Sequence, residues 1–552
     1  MMRSFPQTNR LLRPSTYPIA CCVNQFRMTS GSATSSSVSR YEESVRLLNS
    51  LQSNAATIKK LREQRENLQA MNLPQCRKYL ESLKVSEKNL ESLNIIHVSG
   101  TKGKGSTCAY TEAILRKQGL KTGLYTSPHL VHVRERIRIN GEPVDEKTFA
   151  EEFFHGEVRD FRNGLQRIIL FSVYDIISQE HSENMPAYFK FLTLLAFRIF
   201  IKLGVQVVIL EVGIGGEYDC TNVIEHPKVC GVTTLDYDHI SILGSKLSEI
   251  AWHKAGIFKK DVPAIYSPTN PEAEEVLISR AKSKSTPLAE APPVSAYHFS
   301  RPISPGIRGL HQFSNISLSF QLVKTWAEKC HFPLPGVSLS TKIGKGFDIP
   351  SWMCDAIESC RWPGRSQVIS TDKKITYLLD GAHTPKSMEA CAEWASEEIT
   401  LLKKENVKKI VLFQCTADRC PSTLIQYLKV RFQKKTSKKF HFQPLGIDQI
   451  VSCPTQLYSS VDKSADSTNL NASRDEQMEK ALQCVESWKE SMDDPNRITK
   501  DKMKVFDCIS AAFDYIETES SSQEILVLVT GSLHLVGGVL NLISTKTHQT
   551  VI

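Results

Sequence analysis

The run His97-Val98-Ser99-Gly100-Thr101-Lys102-Gly103-Lys104-Gly105-Ser106-Thr107 combines the residue types that hold a polyphosphate. An apolar stretch enters a glycine-rich turn, and a helical pattern leaves it. Gly100, Gly103 and Gly105 let backbone N–H groups close around phosphate oxygens, and a helix N-terminus favours negative charge. Lys104 would offset charge on β- and γ-phosphates, and the hydroxyl of Ser106 or Thr107 can reach Mg²⁺. The spacing is tighter than the strict G-x-x-x-x-G-K-[ST], and a surface Gly/Lys turn is the plain alternative. The strand–turn–helix context favours the phosphate loop.

Three further runs offer chemistry. Leu210-Glu211-Val212-Gly213-Ile214-Gly215-Gly216 follows an apolar run, so Glu211 stands at a strand's carboxyl end, where a Mg²⁺ ligand belongs. Asp219 and Asn222 lie just beyond, and a helix cap is the competing role for Glu211. Asp236-Tyr237-Asp238-His239 also follows an apolar run (229–235), which brings His239 to the same edge; alone, such a histidine is as readily structural. Trp252-His253-Lys254-Ala255-Gly256-Ile257-Phe258 sets Lys254 among apolar neighbours. Burial lowers a lysine's pKa, and a neutral amine can take up CO₂ as a carbamate, although buried lysines commonly just extend their ammonium to water.

The elements that must position these groups alternate. Short apolar runs at 93–98, 205–210, 229–232, 375–379, 409–413 and 525–529 read as strands. Helical patterns lie between them at 106–118, 191–202, 315–330 and 387–398. Strand-then-helix alternation predicts an α/β fold of parallel sheets, whose functional groups gather at the strands' carboxyl ends. Residues 41–93 have helical spacing interrupted at Leu73-Pro74. Proline-rich segments at 267–305 and 333–350 break the pattern, and the second reads as the linker into a final domain. Residues 459–496 are polar and read as an irregular insertion.

Length argues for two domains plus a tail. Apolar residues make up 41% and charged residues 23% of the chain, which excludes collagen, a disulfide mini-scaffold and wholesale disorder. Without the five arginines of residues 1–41, the net charge falls from +9 to +4, so the basic balance belongs to the tail and no nucleic-acid partner is expected. That tail (Arg3, Arg10, Arg13, Arg27 and Arg40, with no lysine or acid) has the composition of a mitochondrial transit peptide, and Met28 offers a start for a cytosolic form. The 15 cysteines include no C-x-x-C, which predicts reduced, mostly buried thiols. Residues 525–545 are uncharged, but Thr530-Gly531-Ser532 and Gly537-Gly538 interrupt them, so a strand, a turn and an apolar helix are expected and no transmembrane segment.

In these motifs and their order the chain resembles eukaryotic folylpolyglutamate synthases of the Mur ligase superfamily. The matching stretches are HVSGTKGKGSTCAYTEAILRKQGLKTGLYTSPHLVHVRERIRINGEPV (97–144), MPAYFKFLTLLAF (185–197), ILEVGIGGEYDCTNVI (209–224) and LDYDHISILG (235–244). AWHKAGIFK (251–259), WPGRSQV (362–368), YLLDGAHTPKSMEAC (377–391) and LVTGSLHLVGGVL (528–540) complete them. The resemblance implies an N-terminal P-loop ATPase-like parallel-sheet domain at 42–350 and a smaller Rossmann-like C-terminal domain at 351–552. It implies an ATP-dependent ligase that adds L-glutamate to the γ-carboxylate of tetrahydrofolate and its polyglutamates through an acyl phosphate, retaining folates for one-carbon metabolism. Gly103, Lys104, Gly105 and Ser106 match the nucleotide loop. Ser127, Glu211 and His239 match the Mg²⁺ positions, and Lys104, His239 and Lys254 carry the catalytic expectations. Lys254 matches a carbamylated lysine, Arg365 and Asp380 match ATP contacts from the second domain, and His383 and Ser532 are similar to groups near the incoming glutamate. A monovalent cation, a monomeric state and residence in mitochondrion and cytoplasm complete what the resemblance implies; the absence of an exposed apolar heptad run agrees with a monomer.

Residues 155–170 read as an insert, Gln414 stands where the pattern has Asn, and Ile316 and Ser319 replace alanines after His311-Gln312 and Asn315. Competing readings are a bifunctional ligase that also charges dihydropteroate, a P-loop kinase and a basic binding protein. A kinase leaves the turns at Asp380-Gly381-Ala382-His383 and Thr530-Gly531-Ser532 unexplained. A basic binder has little beyond the solvated run at 434–439.

Overall fold

Ile96–Ser99 (β1), Val207–Glu211 (β5) and Val229–Val232 (β6) are buried at every residue, the signature of strands covered on both faces. The computed structural model describes residues 39–52, 65–154, 156–159, 167–170, 172–404, 406–415, 419–429, 446–459, 473–491 and 502–547. With Thr122–Tyr125 (β2), Ile137–Ile139 (β3), Glu142–Pro143 (β4), Ala264–Tyr266 (β7) and Leu288–Glu290 (β8), these strands form one eight-stranded sheet. Its order is β8-β7-β6-β1-β5-β2-β3-β4, parallel except at β3 and β4. Side chains alternate across it. Val207 and Ile209 join the core beneath helices Lys104–Lys117 (α3) and Gln312–Lys329 (α6), whereas Val208 and Leu210 join the core beneath Tyr188–Leu203 (α4). Gly204, in the left-handed region at φ 61°, ends α4.

The second sheet contains six strands: Gln367–Ser370 (β9), Ile375–Leu379 (β10), Lys408–Phe413 (β11), Gln449–Ser452 (β12), Met503–Val505 (β13) and Ile525–Thr530 (β14). Their order is β9-β10-β14-β11-β12-β13, parallel except at β9. Helices Pro385–Leu401 (α7), Pro421–Lys429 (α8), Arg474–Glu490 (α9), Ile509–Ser520 (α10) and Leu533–Thr547 (α11) complete this half. In β14, Ile525, Val527 and Val529 face one core and Leu526 and Leu528 the other. The uncharged stretch is thus a strand, a turn and a helix, and no described helix is long and apolar enough to cross a membrane. Both parallel sheets accord with the expected α/β fold.

Three local expectations change. The polar insertion contains α9, opened by a capping box between Ser473 and Glu476 and anchored by buried Ala481, Cys484 and Trp488. Arg65–Ser82 (α2), which follows Arg40–Ser50 (α1), continues through Pro74, because burial of Cys76, Tyr79 and Leu80 outweighs the hydrogen bond lost there. In the insert, Gly156–Arg159 pairs antiparallel with Arg167–Leu170. The arginine-rich leader through residue 38 and the basic run at 434–439 lie outside the described residues.

Candidate active site

The carboxyl ends of the two sheets face each other across a cavity of about 1180 Å³. Its walls include Gly103, Lys104, Gly105 and Ser106 after β1, Ser127 after β2, Glu211 at the end of β5 and His239 after β6. Arg365, Asp380 and His383 come from the second sheet. Ten of the expected site residues therefore share one cleft. Lys254 and Ser532 do not line it.

The phosphate loop is held from below. Gly100 (φ 137°) and Gly103 (φ 89°) sit where side chains are strained. A Cβ on Gly103 would lie 2.1 Å from Asn315 Oδ1. The N–H groups of Thr101 and Lys102 both donate to the carbonyl of Thr234, at 3.1 Å each. Buried Lys254 reaches under the loop and donates from Nζ to the Gly100 carbonyl at 2.7 Å, while Ser99 Oγ donates to the Lys254 carbonyl at 2.9 Å. Burial holds the Lys254 amine well below the ordinary lysine range. Above, Trp362 lies against the first turn of α3: a Cβ on Gly105 would meet its Nε1 at 3.0 Å.

Buried Glu211 accepts from the Ser127 N–H at 3.1 Å and lies 3.9 Å from Lys104 Nζ. Burial raises its pKa against the pull of Lys104. His239 adopts the left-handed φ of 51° at the N-cap of the short helix Ile240–Leu243. Desolvation lowers its imidazole to about 4, with Asp238 pulling the other way. A buried carboxylate matched only loosely by lysine, a hydroxyl and a neutral imidazole are a fitting donor set for a hard divalent cation. Elsewhere among the described residues, Glu87, Glu91 and His226 cluster on the exposed surface, outside the cleft lining.

On the second wall, Asp380 Oδ2 accepts from the Ser366 N–H at 2.8 Å. His383 Nδ1 lies 2.6 Å from the Gly381 carbonyl, which fixes Nδ1 as the protonated nitrogen, so Nε2 accepts from Lys102 Nζ at 3.2 Å. Burial, then the Lys102 charge, lowers the His383 pKa to about 3. Lys102 itself is lowered to about 8 by burial, against the attraction of Asp238. Burial works to raise the Asp238 pKa, but His383 and Lys102 hold it far below the usual carboxylate range. Lys102, Asp238 and Arg419 carry no role that sequence alone assigns: the first two stand inside the motifs at 97–107 and 236–239, whereas Arg419 is marked only by its place after an apolar run.

The chain is 72% identical over 541 residues to a Caenorhabditis elegans protein provisionally named folylpolyglutamate synthase, covering 98% of this chain and 99% of that one. It is 36% identical to the mitochondrial folylpolyglutamate synthase of Cricetulus griseus, covering 92% of each. The chain belongs to the folylpolyglutamate synthase family. Among solved family structures, that from Thermotoga maritima matches with a TM-score of 0.61 at 20% identity, covering 93% of this chain and 98% of that one. FolC of Escherichia coli in complex with DHPP and ADP matches with a TM-score of 0.58 at 22% identity, covering 90% and 99%. These likenesses carry the family's Mur ligase-type fold to this chain. No protein-family model matches it.

Proposed function

We propose that this chain is an ATP-dependent ligase that adds L-glutamate to the γ-carboxylate of tetrahydrofolate and its polyglutamates. The observation that carries the reading is the cleft, in which a phosphate loop on one sheet edge faces a second set of polar side chains on another. A kinase has no use for that second edge.

In this reading Gly103, Gly105, Ser106 and Lys104 hold the triphosphate, and Arg365 and Asp380 hold ATP from the second edge. Ser127, Glu211 and His239 hold Mg²⁺, which supplies charge neutralisation during phosphoryl transfer. The folate γ-carboxylate oxygen attacks the γ-phosphorus, ADP leaves, and an acyl phosphate forms. The α-amine of glutamate then attacks the acyl carbon, loses a proton, and phosphate departs. Lys104 stabilises the charge that builds on the transferring group. His383, whose Nε2 lone pair is taken by Lys102 Nζ, would line the glutamate side of the cleft and shape it by position rather than by accepting from the amine. Ser532 Oγ is buried without a hydrogen-bond partner, so its hydroxyl is available to the glutamate once the turn shifts toward the cleft. Burial favours the neutral form of the Lys254 amine, the form that can add CO₂ with release of a proton; as a carbamate it would bring a second anion beneath the loop.

Met353, Cys354 and Ile357 pack into the first sheet's core, so we draw the boundary between the two halves after Cys360 rather than at 350. The arginine-rich leader and the mitochondrial relatives support import into the mitochondrion. Initiation at Met28 would supply the cytoplasm, and the enzyme is proposed to act as a monomer.

The test incubates the chain, freed of residues 1–38, with Mg-ATP, tetrahydrofolate and radiolabelled glutamate. A ladder of labelled folates is expected, reduced at least 10³-fold in kcat/KM by Lys104→Ala. ATP consumption without label in folate would keep the nucleotide site and discard the acceptor.

A further inference from the structure

Asp238 has no role in the scheme above, yet it stands where the two sheet edges meet. Its Oδ2 accepts from Lys102 Nζ of the phosphate loop at 2.8 Å and lies 3.7 Å from His383 Nε2. Its Oδ1 accepts from the His239 N–H at 3.0 Å and from Arg419 Nη2 at 3.4 Å. Arg419 Nη1 in turn donates to the His383 carbonyl. One carboxylate, with its side chain 12% exposed, thus gathers a cation of the nucleotide loop and polar groups from two separate loops of the second sheet.

We propose that Asp238 is a positioning residue that ties the loops carrying His383 and Arg419 to the phosphate loop, so that the glutamate side of the cleft takes shape only while the two edges are joined. The inference rests on the ligase reading. Its physical basis is charge. Without this anion, Lys102 and Arg419 face each other as like charges on opposing loops, in a partly desolvated place where salt screens them weakly. The phosphate loop would keep its glycines and Lys104. The loss therefore falls on glutamate use more than on ATP use. Lys102, although it belongs to the nucleotide loop, should behave like Asp238, because its interaction runs through the same carboxylate.

The experiment measures steady-state labelled-glutamate incorporation by the full chain as wild type, Asp238→Asn, Lys102→Met and the double variant. Each single variant is expected to raise the glutamate KM at least tenfold while the ATP KM stays within threefold. The double variant is expected to be no worse than the worse single one, as for two groups acting through one contact. The half-saturating Mg²⁺ concentration is expected to stay within twofold, since asparagine keeps an oxygen for the His239 N–H and Lys102 does not touch His239. Equal rises in both KM values, multiplying effects in the double variant, or a shifted Mg²⁺ requirement would each overturn the inference. Should Asp238→Asn fail to fold, Lys102→Met alone decides, on whether it raises the glutamate KM and spares the ATP KM. Failure of the wild type to extend folate would instead remove the ligase reading, and this inference with it.

Discussion

The two strand ends that face each other across the cleft are built by different means. The first works through backbone. Glycines at φ 137° and 89° shape the phosphate loop, two N–H groups tether it to Thr234, and Lys254 braces it from a buried position. The second works through side chains on loops, with Asp380, His383 and Arg419 each steadied by one or two hydrogen bonds to nearby backbone. A triphosphate is the same in every reaction that uses one, so backbone geometry suffices to hold it. In the proposed reading the second edge also receives the amino acid, which must be told from its relatives, and that calls for side chains whose identity can change without dismantling a loop.

The comparison can be broken most severely at the proposed metal-binding corner. Glu211→Gln keeps the shape and hydrogen-bonding reach of the side chain and removes its charge. We expect kcat/KM to fall about 10³-fold, or about 4 kcal/mol, with a half-saturating Mg²⁺ concentration raised at least tenfold, read from metal titrations of the ligase assay. A packing change tests whether the first edge is as rigid as its backbone implies. A Cβ on Gly256 would lie 2.4 Å from the Glu217 backbone nitrogen, so Gly256→Ala should destabilise by about 3 kcal/mol and lower Tm by several degrees in a thermal melt. Asp380→Asn, on the second edge, should lower kcat/KM for ATP by about 10²-fold and leave Tm within about 2 °C; a fall in stability like that of Gly256→Ala would erase the distinction.

The mildest test is a titration. Cys420, exposed beside Arg419, is lowered to about 7, chiefly by its hydrogen bond with Ser422 and then by donors at Thr423. Its thiolate is therefore the minor form below pH 7 and the major form above. Alkylation by iodoacetamide should rise through pH 7 and level off near pH 8, and Ser422→Ala should move the midpoint upward by up to about one unit. Buried Cys76 and Cys230, pushed up to about 12, should stay unlabelled in the folded protein. A midpoint near the ordinary thiol value would show that the second edge lacks these hydrogen bonds in solution.

What could be read from sequence was whatever is encoded locally. The phosphate loop, Glu211 and His239 announce themselves because glycine spacing and an apolar run lie within a few residues of each group. The strand–turn–helix at the C-terminus was legible for the same reason. Helix α9 was not, because its buried face of Ala481, Cys484 and Trp488 is thin and its remaining surface polar, so composition masked the periodicity. The Asp238 junction was beyond reach on other grounds: its partners Lys102 and Arg419 lie 136 and 181 residues away in the chain. Lys254 was correctly read as buried, yet no local pattern could say that its amine meets the Gly100 carbonyl beneath the loop instead of facing the cleft.

The strand that comes last in the chain, β14, lies in the middle of its sheet, paired on one side with β10 and on the other with β11. The order of synthesis is therefore written into the enzyme. The eight strands of the first sheet have all left the ribosome by Glu290, whereas the second sheet stays in two pieces with bare inner edges until residues 525–530 emerge. A stop codon or frameshift between Cys360 and residue 525 would yield a chain with a finished first half and an unfinished second sheet. Such a product would hold nucleotide without forming an amide bond, and its unpaired edges would mark it for aggregation or disposal.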